Sequence, residues 1–476
     1  MSDFSGVQSN LKAKISSRSM GPKLIVVCGL ALLMTIPALF VVGLVGERTQ
    51  RANEVTNEIS GLVGGQQTFL GPTLVVPYTV PLQTVKGATI VSATPDHGVY
   101  IVFPAQAEAT VKSHTEERHR SLFKVPVFQA DLNFNATFDL TGVPSSAPTR
   151  AVLDWNRAEI VVGVSDPRGA LADATLSVNG KSATLVPAEN DEDISVGDNP
   201  DQRNNLTFFG VKATETVQPN AQFKVTSVLR FSGAQRIAIL AYGKTTHLTM
   251  AGDWPNPSFD GGFLPVNRTI SRQGFSGEWS VPFIARGVRA EGRSNTIADL
   301  NAKALGVSFV ELADPYQSVY RSLKYVLLFL GLLFLSYFVF EVTTGKRVHP
   351  AQYILVGMAQ IIFYLLLLSF AERIGFDWGF LIAGAATVIL LAVNAGWVFS
   401  SRVQGFRALL CFSLLYALIY LLLSLEDNAL LVGAVASFLA VAAAMYFTRK
   451  IDWYSSLLPA NPEAQEADSM VPKNVE

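Results

Sequence analysis

The run Leu24–Val45, LIVVCGLALLMTIPALFVVGLV, holds 22 residues without a charge. At about 1.5 Å per residue it can cross a hydrocarbon core of roughly 30 Å. Lys12, Lys14, Arg18 and Lys23 precede it, and a basic flank of this kind usually stays cytoplasmic. The rival reading is a cleaved signal peptide. The run exceeds the usual apolar region of such peptides, and no A-x-A site precedes the charged stretch Glu47–Arg51, so an uncleaved anchor is favoured. Pro37 lies inside the run and predicts a kink, since neighbouring helices can satisfy the carbonyl it frees.

Five more apolar runs follow near the C-terminus with short connections: Tyr325–Phe340, Ala351–Ala371, Trp378–Phe399, Ala408–Ser424 and Ala429–Phe447. Six transmembrane helices return both termini to one face. The loop charges agree: Lys346, Arg347, Arg402, Arg407, Arg449 and Lys450 share the side of the basic N-terminus, whereas the opposite turns carry Glu372, Arg373, Asp377, Glu426 and Asp427. Positive-inside bias therefore predicts cytoplasmic termini and an exported stretch between the first and second spans. Tyr325, Tyr353, Trp378, Trp397 and Tyr446 fall near the expected interfaces, where amphipathic rings collect. The expected divisions are a cytoplasmic N-terminus 1–23, a first helix 24–45, an exported domain 46–321, helices two to six within 322–448, and a cytoplasmic tail 449–476.

Composition supports a bilayer as solvent, because 49% hydrophobic and 16% charged residues in 476 is too apolar and charge-poor for an ordinary soluble enzyme. A net charge of −1 lacks the electrostatic footprint of a nucleic-acid binder.

The exported stretch of about 275 residues reads as a large all-β domain. Leu132, Phe134, Ala136, Phe138 and Leu140 alternate with polar or small residues, which places one face on a core. Val178-Asn-Gly-Lys181 predicts a type I′ hairpin turn between Thr175–Val178 and Lys181–Leu185, because Asn-Gly supplies two residues of positive φ. Short runs at Thr73–Val80, Gly98–Phe103, Glu159–Val164, Phe223–Phe231 and His247–Met250 complete an antiparallel sandwich, one or two in number. Gly46–Ser60 is polar and free of proline, so the first helix is expected to continue past the membrane until Gly64-Gly65 ends it.

The residue patterns in this domain point to no catalytic or metal-binding site. His114-Thr-Glu-Glu-Arg-His119 has the wrong spacing for helical zinc ligands and reads as a solvated charged loop; His97 and His247 stand alone. No nucleophile elbow, phosphate loop or dinucleotide fingerprint occurs. No metal or cofactor is expected. Cys28 and Cys411, the two cysteines, both lie in apolar runs and read as small fillers, leaving the β domain without disulfides. Ionisable residues are nearly absent from the spans. Gln360 and Asn394 read as interhelical hydrogen-bonding groups, and Glu341 as an interface charge facing water, Lys346 or Arg347.

Two segments stand apart as candidate sites. Gly252-Asp-Trp-Pro-Asn-Pro-Ser-Phe-Asp-Gly-Gly-Phe-Leu-Pro265 combines three prolines and three glycines, which exclude regular structure, with three aromatic rings. Its rings either pack onto the sandwich or, with the polar residues, form a binding surface of Asp253, Trp254, Asn256, Phe259, Asp260 and Phe263 for a protein or glycan. The turn Gly345-Lys-Arg-Val-His-Pro-Ala-Gln352 gathers Lys346, Arg347 and His349; topogenic charge and a helix start at Pro350 explain most of it, and partner docking is the alternative. The acidic, proline-containing tail after Trp453 reads as disordered.

The residues also carry a resemblance. Gly71-Pro-Thr-Leu-Val-Val-Pro77, Ala130-Asp-Leu-Asn-Phe-Asn-Ala-Thr-Phe-Asp139, Val164-Ser-Asp-Pro-Arg-Gly169 and the proline-rich segment come first. Asp314-Pro-Tyr-Gln317, Phe338-Val-Phe-Glu341, His349-Pro-Ala-Gln-Tyr-Ile-Leu-Val-Gly357, Phe363-Tyr-Leu-Leu-Leu-Leu368 and Ile451-Asp-Trp-Tyr454 follow in order. Along nearly its whole length the chain resembles the CreD family of inner-membrane proteins, described as cell envelope integrity proteins. The resemblance implies a Gram-negative inner membrane, a two-component envelope-stress regulon, and links to colicin tolerance and β-lactam response. It implies no reaction and no catalytic residues. The expectation is thus a non-enzymatic membrane protein whose β domain binds an envelope protein or glycan; a hydrolase of peptidoglycan or another envelope polymer, or a transporter, are the alternatives.

Overall fold

The computed structural model describes residues 20–80, 96–120, 123–143, 147, 151–196, 205–213, 217–310, 315–424 and 429–449. Lys12, Lys14, Arg18, Asp314, Glu426, Asp427, Lys450, the Ile451–Tyr454 motif and the tail beyond it lie outside the described residues. The chain divides into two compact units, Arg51–Leu312 and, together, Met1–Gln50 with Ala313–Glu476.

In the first unit a ten-stranded and an eight-stranded sheet enclose one hydrophobic core. The larger sheet is built around Gln67–Val80, flanked by Glu159–Val164, Asp96–Val102 and Arg236–Leu240; beyond the last come Ala304–Phe309 and Pro257–Gly261 at the edge. The smaller runs Asn267–Ser271, Gly274–Val281, Thr245–Gly252, Gln106–Arg120, Phe123–Asp139, Gln222–Ala234, Thr175–Val178 and Lys181–Thr184. Leu132, Phe134, Ala136, Phe138 and Leu140 are all buried, as their alternation predicts. Phe69 of one sheet meets Phe231 of the other edge-to-face at 5.3 Å, so the core is shared and the sandwich is single. The Asn179-Gly180 turn has φ values of 49° and 87°, with Thr175–Val178 paired to Lys181–Thr184.

Two features depart from the expected antiparallel pattern. Gln67–Phe69 pairs in parallel with Ile237–Ile239, and Thr245–Gly252 with Gln106–Ser113. Parallel neighbours need a long crossover, which the many intervening residues provide. The stretch His114–His119 is also not a loop: it continues the strand Gln106–Arg120 and pairs in register with Lys124–Gln129.

The motif beginning at Gly71 has a geometric reason. Between Leu70 and Thr73 the pairing with Glu159–Val164 shifts register, and this bulge accommodates Pro72, which has no N–H for the ladder. Gly71 faces the Tyr242 ring so closely that an added Cβ would sit 2.5 Å from it.

The helical unit begins with α1 (Met20–Leu33) and α2 (Thr35–Leu62). They break at Met34, where Pro37 leaves the Leu33 carbonyl without its i+4 donor. Past residue 50, α2 contributes to the β unit: Val55 and Ile59 pack on Val125, Val127 and Ala234. It ends where the Gly65 N–H reaches the Ser60 carbonyl at 2.7 Å, with Gly64 and Gly65 both at positive φ.

The remaining helices are α3 (Pro315–Lys324), α4 (Val326–Thr344), α5 (Pro350–Ile374), α6 (Phe376–Val398), α7 (Arg402–Ser424) and α8 (Ala429–Thr448). Helix α3 was not expected. It is amphipathic, burying Tyr316, Val319, Ser322 and Leu323 along one stripe. Among the described residues five helices are long and apolar enough to cross a membrane: Lys23–Leu62, α4, α5, α6 and Arg402–Leu423. The apolar stretch of α8, Gly433–Ala443, is shorter. Small residues set the close crossings: Gly405 approaches Gly396 between α7 and α6, and Gly357 of α5 receives Met34.

Candidate functional site

The segment after Gly252 holds more regular structure than its prolines and glycines suggest. Pro257–Gly261 is a strand at the edge of the ten-stranded sheet, paired with Ala304–Phe309; an edge tolerates the missing N–H of Pro257. Trp254 is buried and donates its Nε1–H to the Val310 carbonyl at 3.1 Å. The Asn256 carbonyl accepts from Val310 N–H at 3.3 Å. Phe259 packs edge-on against Phe275 and Trp279, and the Phe263 carbonyl accepts from Trp279 Nε1 at 3.0 Å.

The carboxylates are equally engaged. Asp260 receives Arg236 through Nε at 2.9 Å and Nη2 at 2.7 Å, and Ser308 Oγ at 2.5 Å. Asp253 pairs with His114 and accepts the Thr115 N–H at 2.7 Å. Folding thus joins two sequence features that stood 139 residues apart. Among the described residues no group of three or more His, Cys, Asp or Glu is placed to hold a metal ion.

What is presented outward lies at the end of the segment and just beyond it. Leu264 and Val266 are 66% and 70% exposed, and the edge strand Asn267–Ser271 is exposed at all five positions.

In the helical unit, the turn between α4 and α5 is organised by a buried carboxylate. Glu341 is 1% exposed; Oε1 takes Lys23 Nζ and the Val348 N–H at 2.9 Å, and Oε2 takes the Tyr353 hydroxyl at 3.0 Å. Lys23 also donates to the Val348 carbonyl at 2.7 Å. Glu341 therefore pairs with the first helix rather than with Lys346 or Arg347. Lys346 instead donates to the Phe399 carbonyl at 2.7 Å, His349 Nδ1 caps α5 by accepting Ala351 N–H at 3.2 Å, and Arg347 is exposed. Sequence reasoning missed this hub, although a lone acid in an apolar run followed by a basic turn was its signal.

The polar groups within the spans bond between helices. Gln360 Oε1 accepts the Tyr416 hydroxyl at 2.7 Å, and Asn394 Nδ2 donates to the Tyr337 hydroxyl at 3.1 Å.

A second missed residue lies in the β unit. Arg286 is fully buried with its guanidinium 4.3 Å from the Phe103 ring centroid, and none of its side-chain nitrogens has a hydrogen-bond partner among the described residues. Burial pulls its acid constant from 12.5 down to about 10.

About five apolar helices and a large β-rich domain define a multi-pass membrane protein. The CreD family profile, described as "Inner membrane protein CreD", matches residues 19–454. The chain belongs to the CreD family. It is similar to "Inner membrane protein CreD" of Escherichia coli (strain K12), 29% identical over 440 residues that cover 92% of this chain and 94% of that protein. It is accordingly a protein of the inner membrane.

Proposed function

We propose that this inner-membrane protein supports cell-envelope integrity and the envelope-stress response by binding an envelope protein or glycan through its β domain, without catalysing a reaction. Six spans carry it, with both termini cytoplasmic and residues 46–321 in the periplasm; the loop charges support that orientation. The observation that carries the reading is one exposed edge of the eight-stranded sheet, the strand Asn267–Ser271. Asn267–Ser271 is exposed along its whole length, and Leu264 and Val266 stand exposed just before it. Such an edge offers N–H and C=O groups to an extended partner, and adjacent apolar side chains add contact area. Asp253, Trp254, Asn256, Phe259, Asp260 and Phe263 form the rigid floor of this proposed surface. The turn of Lys346, Arg347 and His349 is a lesser docking candidate, with Arg347 as its outward group.

Photo-crosslinkers at Leu264, Val266 and Ile270 in living cells test the reading, with Asn133, exposed on an interior strand of the same sheet, as control. A specific adduct from the edge and not from the control is expected. Equal labelling, or none from a normally expressed protein, would refute it.

A further inference from the structure

A groove of about 600 Å³ runs between α4 and α7, with Ala443 of α8 beside it. Its walls are periodic. From α4 come Leu332, Ser336, Val339 and Thr343, and from α7 come Arg407, Cys411 and Leu418; these spacings put each set on one helix face. Leu332 to Thr343 and Arg407 to Leu418 each span eleven residues, about 16 Å along a helix axis. That is close to half of a hydrocarbon core of roughly 30 Å. The groove is therefore one leaflet deep.

Its two ends differ in chemistry. Leu332 and Leu418 close the inner end, whereas Thr343, Gln404 and Arg407 line the other. Thr343 is occupied by the Val339 carbonyl at 2.9 Å. Arg407 is exposed and has no ion pair or hydrogen bond among the described residues. Lys346 is committed to the Phe399 carbonyl, and Arg407 is the charged side chain among the described residues that line the groove. A slot one leaflet deep, apolar inside and cationic at its rim, matches the shape and charge of one phospholipid chain joined to a phosphate.

The geometry points to a binding site for an anionic phospholipid, with one acyl chain between α4 and α7 and the headgroup phosphate on Arg407. A basic residue near a membrane surface favours an anionic headgroup by about fivefold, which sets the expected discrimination. The test uses the full-length protein, delipidated in neutral detergent and titrated with phosphatidylglycerol or phosphatidylcholine of identical chains, the bound lipid being read by native mass spectrometry. The wild type should prefer phosphatidylglycerol about fivefold. Arg407→Gln should erase the preference and Arg407→Lys should keep it. Cys411→Phe, which fills the slot, should weaken both lipids. Arg407 is exposed, so its variants leave packing intact and a failure to fold does not blur the result. No preference in the wild type, the same ratio in Arg407→Gln, or undiminished binding in Cys411→Phe would overturn the assignment. Displacement of the lipid by inorganic phosphate alone would overturn the acyl-chain part, marking a simple anion site.

Discussion

Replacing Arg286 by methionine should stabilise the β unit. A guanidinium taken out of water without hydrogen-bonding partners is costly. The drop in its acid constant from 12.5 to about 10 corresponds to roughly 3 kcal/mol against the charged form. Because the folded value lies below the unfolded one, that cost is present in full at neutral pH and fades only above about pH 10. Contact with the Phe103 ring returns about 1 kcal/mol, and methionine is flexible enough to refill the space. The net gain for Arg286→Met is about 2 kcal/mol, or a rise of roughly 4–8 °C in the unfolding midpoint of a unit this size. The assay is thermal unfolding of the full-length protein in detergent, followed by the circular dichroism of its β-sheet. Arg286→Lys, which keeps a charge, should show no gain. A midpoint that stays put or falls in the methionine variant would refute the reasoning, because the guanidinium would then contribute bonds worth its burial.

Three further outcomes follow from the same geometry. Burial raises the carboxyl of Glu159, which is 3% exposed; ionised Glu159 therefore costs stability at neutral pH and the cost is relieved as pH falls. The melting-temperature advantage of Glu159→Gln should accordingly be largest near pH 7 and close as the carboxylate range of about 4.3 is reached. Glu341→Gln and Lys23→Met should each destabilise the helical unit by about 3 kcal/mol, and the double variant by less than their sum, as measured by a double-mutant cycle in detergent. Gly71→Ala should cost about 1–3 kcal/mol in thermal unfolding, since the new methyl meets the Tyr242 ring and one of them must shift.

Local patterns were legible in the sequence where one segment contains its own reason. The apolar runs became α4 to α7 to within a few residues, the alternation at Leu132–Leu140 became a buried face, and Asn179-Gly180 made its turn. Features that depend on a distant partner were not legible. Pro257–Gly261 reads as irregular by composition, and becomes a strand because Ala304–Phe309 supplies its hydrogen bonds. Glu341 sits beside a basic turn in sequence, yet its cation is Lys23, 318 residues away. The parallel pairs escaped for the same reason, as alternation reports a buried face and not the direction of the neighbour. In the candidate segment, which rings face inward was decided by Phe275, Trp279 and Phe309, on strands the segment itself does not reveal.

The proposed envelope-facing role requires the β domain to lie outside the cytoplasm, and labelling of single cysteines in intact cells tests this most directly. With Cys28 and Cys411 replaced, a cysteine at Ser182 in the β domain and another at Ser400 between α6 and α7 would each be exposed to a membrane-impermeant maleimide. The account predicts reaction at Ser182 in intact cells and at Ser400 only after lysis. Reaction at Ser400 from outside, with Ser182 protected until lysis, would contradict it.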